Sequence, residues 1–79
     1  MKVDLKIKNK ISKKIGNTIK FYRSKNNISQ ENLAHDIGVD RTYISALENG
    51  TKCASIYCLY LLAEKLNVQI KDLVDINII

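Results

Sequence analysis

Seventy-nine residues suffice for one hydrophobic core and leave no room for an enzyme's cleft plus a second lobe. Hydrophobic residues make up 46% of the chain, ordinary for a folded globule, and no apolar run approaches the roughly 20 residues of a membrane span. The net charge of +5 is unevenly spread: residues 1–25 hold nine basic groups and one acidic (+8), residues 26–79 four and seven (−3). The basic third is compatible with phosphate, although charge alone favours a solubilising lysine face. It lacks the apolar centre of a secretory leader, so a cytoplasmic protein is expected.

Met1 to Lys8 alternates, with Val3, Leu5 and Ile7 set against Lys2, Asp4, Lys6 and Lys8. That is the period of a half-buried strand, and Val74 to Ile79 alternates in the same sense. Two readings stand for these ends. They pair as strands, within one chain or across a dimer, or they are a lysine-rich arm and a tail packed on the last helix. Ile11 to Lys25 reads as the first helix, with Ile11, Ile15, Ile19 and Tyr22 on its apolar stripe and Thr18 beside them. Ser12 is a candidate N-cap, and Asn26-Asn27 ends the helix.

Ser29 to Gly50 then spells two short helices and a turn. Ser29 is an N-cap, and Leu33, Ala34 and Ile37 share one face of the helix from Gln30 to Ile37. Gly38 supplies the left-handed backbone of a sharp turn. Asp40 caps a second helix, Arg41 to Asn49, which Gly50 closes. On it Ile44 and Leu47 point inward, while Thr42, Ser45, Ala46 and Asn49 cluster outward with Arg41 at the N-terminal edge. Such a face of small and hydrogen-bonding groups suits a DNA groove.

Thr51 to Ala54 is a loop, and Ser55 caps a fourth helix to about Asn67 with Ile56, Leu59, Tyr60, Ala63 and Leu66 as its core stripe. Tyr57, Cys58, Leu61 and Leu62 make it apolar nearly all round, which calls for burial on a second side, by another subunit or by the terminal strands. Val68 to Val74 is a short fifth helix, with Ile70, Leu73 and Val74 apolar.

The central segment resembles the helix-turn-helix of the Cro and lambda-repressor type, the XRE family. The resemblance rests on Ser29-Gln30-Glu31, on Ala34 and Gly38 four residues apart, and on Ile44-Ser45-Ala46-Leu47-Glu48-Asn49-Gly50. Asp40-Arg41-Thr42-Tyr43-Ile44-Ser45 is most similar to the controller proteins of restriction–modification systems. The physics fits that spacing: Ala34 is small where the second helix crosses it, and Ile44 and Leu47 fill the angle between the helices. The resemblance implies an all-α, compact, five-helix lambda-repressor-like domain, with the termini as candidate β-strands. Residues 1–9 are then a basic arm or strand, 10–75 the domain and 76–79 an apolar tail. It implies that Arg23 pairs with Glu48, tying the first helix to the recognition helix. It implies a dimer contact around the fifth helix, for which Leu61, Leu62, Leu73, Ile76 and Ile78 are the candidates.

On that basis a regulator binding double-stranded DNA is expected, with Arg41, Thr42, Ser45 and Ala46 meeting bases. Gln30, Tyr43, Asn49, Thr51 and Lys52 are the candidates for phosphate contacts. Four weak readers per subunit call for a homodimer on a palindromic operator. A phage-type repressor is a rival reading. So is an antitoxin or adaptor whose apolar fourth helix and tail hold a partner protein.

No cofactor, metal, membrane or small-molecule ligand is expected. Cys53 and Cys58 with the single histidine, His35, cannot supply four zinc ligands. Cys58 reads as a small hydrophobe, Cys53 as a loop thiol and His35 as solvated. There is no Ser/His/Asp set, carboxylate pair or phosphate-cradling glycine loop, Gly16, Gly38 and Gly50 being scattered, so an enzyme is not expected.

Overall fold

The computed structural model describes residues 4–75 and holds five helices: α1 Leu5–Lys25, α2 Gln30–Ile37, α3 Arg41–Glu48, α4 Ile56–Leu66 and α5 Ile70–Leu73. α1 is capped by Asp4, whose carboxylate accepts from the backbone N–H of Lys6 at 3.0 Å and of Ile7 at 3.3 Å. The strand expected over Met1–Lys8 is therefore corrected, because Leu5–Lys8 are the first turn of this helix. Adding turns to an existing helix needs no new nucleus, whereas an isolated ribbon is marginal. Leu5 and Ile7 find no core for their alternation and stay 66% and 45% exposed. Ser12 lies inside the helix, buried, and is not its cap. Residues 1–3 and 76–79 lie outside the described residues, and with them the expected pairing of the two ends.

The expected caps at Asn26-Asn27, Ser29, Gly38 and Ser55 form, whereas Asp40 stands at the N-cap position of α3 without a side-chain cap bond. Asn26 closes α1, Asn27 turns to φ +56°, and the Asn26 amide donates to the Tyr22 carbonyl at 2.7 Å and the Leu66 carbonyl at 3.2 Å. Ser29 Oγ accepts from Asn32 N–H at 3.0 Å, and Ser55 Oγ from Cys58 N–H at 3.1 Å. Gly38 sits at φ +78° between α2 and α3, and Val39 N–H reaches back to the Ala34 carbonyl at 2.9 Å to close the corner.

Ile19, Leu33, Ile44, Leu62 and Leu73 are fully buried at the centre of the core. α4 is rotated from the expected stripe. It buries Cys58, Leu59, Leu62, Ala63 and Leu66, while Ile56 and Tyr60 are 73% and 48% exposed. The buried face follows the positions opposite α2 and α1, which take Cys58 and Leu62 in place of Ile56 and Tyr60. Leu62 and Leu73 are corrected for the same reason. Both are 0% exposed within this one chain, so neither has surface to offer a second subunit.

One close approach sets how α1 meets α3. A Cβ on Gly16 would collide with the Leu47 carbonyl oxygen and come within 2.9 Å of the Glu48 carbonyl oxygen. Only a hydrogen fits where α1 crosses the carboxyl end of α3. In a solvent-facing helix Gly→Ala gains about 1 kcal/mol. Here Gly16→Ala is expected to lose about 1–3 kcal/mol through overpacking, read as a lower urea midpoint with an unchanged slope. A stabilised variant would show that the crossing is loose.

Candidate nucleic-acid interface

α3 offers its outward row to solvent. Arg41, Thr42 and Asn49 are exposed and Ser45 and Ala46 half-exposed, while Ile44 and Leu47 on the reverse are buried. What fixes the orientation of that row is a buried charge. The Glu48 side chain is 2% exposed, and an unpaired carboxylate there would be very costly. Arg23 pairs with it twice, Nε to Oε2 at 2.6 Å and Nη2 to Oε1 at 3.1 Å, and donates a third bond from Nη1 to the Ile28 carbonyl at 2.8 Å. The fork thus ties α1, the loop before α2, and the end of α3.

Gln30 joins this cluster. Its Nε2 donates to Glu48 Oε1 at 2.9 Å, which turns its Oε1 outward to receive Arg41 Nη1 at 3.5 Å. The expected phosphate-binding side chain is instead a link between the buried carboxylate and the arginine at the head of α3. The backbone N–H groups of Gln30 and Glu31, in the first turn of α2, have no partner among the described residues and point out of a positive helix end. The Gln30 link was not legible, since nothing in sequence spacing marks two side chains 18 residues apart as partners.

Two hydroxyls have their protons committed. Thr42 Oγ1 donates to Asp40 Oδ2 at 2.8 Å, and that bond is the main reason the Asp40 carboxyl lies below its usual range. Thr42 is left with lone pairs and a methyl to show a base. Thr51 Oγ1 donates to the Ala46 carbonyl at 3.2 Å, and the same oxygen takes the N–H of Thr51 at 3.0 Å and of Lys52 at 3.3 Å. Thr51 therefore closes the end of α3, and of this pair only the exposed Lys52 ammonium stays available to an anion.

Tyr43 is the third revision. Expected to reach a phosphate, it instead lines a groove of about 330 Å³ with Ile37, Val39, Tyr57, Cys58 and Leu61. Burial foremost raises the pKa of its hydroxyl, and the neighbouring Cys58 adds to the shift. Burial likewise pushes the Cys58 thiol up, so it stays protonated at neutral pH. The ring is a wedge between α3 and α4, which its apolar body favours over an exposed flank. Cys53 is exposed and His35 solvent-facing, as expected. Among the described residues no three His, Cys, Asp or Glu side chains gather to hold a metal ion. No helix among them is long and apolar enough to cross a membrane.

The family profile described as a helix-turn-helix domain matches residues 16–76. The chain belongs to the helix-turn-helix family of transcriptional regulators. It is 45% identical over 56 residues to the control protein C.BamHI of Bacillus amyloliquefaciens, covering 71% of this chain and 69% of that one. Among solved structures it is similar to the restriction–modification controller protein C.AhdI of Aeromonas hydrophila, with TM-score 0.75 and 31% identity over 78% of this chain and 94% of that one. The biofilm master regulator SinR, solved in complex with DNA, matches with TM-score 0.71 and 33% identity over 75% and 95% of the two chains.

In this helix-turn-helix regulator, Arg23→Ala would leave Glu48 buried and unpaired, at an expected cost of about 3–5 kcal/mol. Replacing both by apolar residues of similar volume, Arg23→Met with Glu48→Leu, should recover most of that loss in chemical denaturation. A double variant no better than the single would mean that the pair itself supplies the stability.

Proposed function

We propose that this protein is a sequence-specific regulator of transcription of the restriction–modification controller type, acting as a homodimer on an inverted repeat with α3 in the major groove. It is a cytoplasmic binding protein and not an enzyme. The observation that carries this reading is the outward row of α3, held rigid from behind by the buried Arg23–Glu48 pair.

Positioning comes first. The free N–H groups opening α2 and the Lys52 ammonium after α3 stand at opposite ends of the row and hold phosphates on either side of the groove. Base readout follows. Arg41 has the fork for guanine O6 and N7, and Gln30 behind it limits the rotamers it samples. Thr42, its proton held by Asp40, accepts from a base amine or touches a thymine methyl. Ser45 is a small donor or acceptor, and Ala46 lets the helix approach closely. Asn49, exposed at the carboxyl end of the row, reaches the backbone.

The dimer rests on α4. Ile56 and Tyr57 are 73% and 71% exposed, and Tyr60 and Leu61 continue their side of the helix. That is a contiguous apolar patch, of the kind a second copy buries. The α4 patch replaces Leu62 and Leu73 as the contact, with Leu61 retained from the expected set. Ile76 and Ile78 lie outside the described residues.

Two measurements test the assignment. Lys52→Ala should weaken binding to all duplexes alike and flatten the dependence of log K on log salt by about 0.9, while Arg41→Ala should also relax base preference at one position by about 1–3 kcal/mol. Identical profiles for the two variants in a base-substitution series would refute the division of roles. In sedimentation, the wild type should be a dimer at micromolar concentration and Tyr57→Glu a folded monomer that loses its preference for an inverted repeat. A wild-type monomer would favour the rival reading, in which α4 holds a different protein.

A further inference from the structure

The first turn and a half of α1 has no part in the core. Leu5 to Lys10 are exposed throughout, and Leu5 to Ile15 precede the segment matched by the family profile, which begins at Gly16. Their direction is nevertheless fixed. α1 crosses the carboxyl end of α3 at Gly16, and Gly50 lies against the Lys13 backbone, where an added Cβ would stand 2.9 Å from Lys13 Cα. From that crossing the helix runs on alongside the loop that follows the recognition helix. Between the two lies an open hollow of about 420 Å³, lined among others by Lys8, Asn9, Thr51 and Lys52.

We propose that this hollow is a second phosphate site, formed by Lys8 and Asn9 of α1 facing Lys52, which binds the DNA backbone flanking the bases read by α3. The proposal rests on the DNA-binding reading above. Three observations meet here. The excess of positive charge in the chain is concentrated in residues 1–25, which carry nine basic groups against one acidic. Among the described residues, the walls of the hollow supply Lys8, Lys52 and the Asn9 amide and no carboxylate. Lys52, already next to the recognition helix, sets the position of the first phosphate. Eight residues separate Lys8 from Gly16, about 12 Å of helix axis. Phosphates of one strand recur about every 3.4 Å along the duplex, so that reach spans about three of them. A rigid helical extension holds its cation in place before DNA arrives, where a flexible arm would lose entropy on binding.

The test uses the full chain and two duplexes, one selected by the wild type from a random library and one a scrambled version of it. Lys8→Gln should bind the selected duplex about fivefold more weakly at 0.15 M salt, with a salt slope shallower by about 0.9 and the same base preferences. Trimming the flanks of the duplex should erase the difference from wild type. Lys65→Gln, which removes an equal charge from the last turn of α4, should do neither. A Lys8→Gln slope equal to wild type, or equal effects of the two variants, would overturn the site. Because phosphate contacts ignore sequence, the Lys8 effect should also appear on the scrambled duplex. If it does while the wild type shows no preference for the selected duplex, the site stands and the regulator reading falls.

Discussion

A single carboxylate with almost no access to water governs how this molecule presents itself. Glu48 sits at the end of α3, and its charge is tolerable only because Arg23 covers both of its oxygens and Gln30 shares one of them. Each of these partners comes from a different element, so satisfying one charge fixes α1, the start of α2 and α3 together. Apolar packing would supply similar stability but would let α3 roll about its own axis, since leucines accept many neighbours. A bidentate ion pair does not. The Gly16 contact removes the remaining freedom, because backbone against backbone leaves no side chain to repack.

Much of the fold was legible because it is written in local signals. Ser29, Gly38, Asn26-Asn27 and Ser55 act within a turn of their own position, and each does what its chemistry dictates. The errors arose where the deciding neighbour was distant in sequence. The alternation of Leu5 and Ile7 was a real pattern, but the Asp4 cap and the helix that follows it absorbed it. The apolar face of α4 could not be placed, because all but a few of its positions are hydrophobic and only its contacts with α1 and α2 choose among them. Gly16 carried a signal that went unread: a glycine in mid-helix costs about 1 kcal/mol and implies a close neighbour.

The interface was legible as a row of positions and not as a set of available atoms. Helical period alone places Arg41, Thr42, Ser45, Ala46 and Asn49 on one side, and it cannot show that Thr42 has given its proton to Asp40 or Thr51 its proton to Ala46. Those bonds narrow what each side chain can say to a base. Thr42 becomes an acceptor, which favours an exposed amine over a carbonyl. Period alone likewise leaves Tyr43 on the flank of α3, and it cannot show that the ring turns toward α4 and lines an apolar groove there.

The remaining readers are few, and that argues for symmetry. One arginine fork contributes about 1–3 kcal/mol of discrimination, and small side chains add less each, whereas specific sites are separated from bulk DNA by about 4–10 kcal/mol. A single copy falls short of the upper part of that range. Two copies joined rigidly double the discrimination with no new chemistry, provided that the joint does not flex. In the proposed dimer the joint lies on α4 and the reading edge on α3, two helices of one small core. Tyr43 wedges α3 against α4, and α4 carries the exposed Ile56 and Tyr57. In the proposed dimer, the spacing of the two half-sites follows from how α4 of one copy meets α4 of the other.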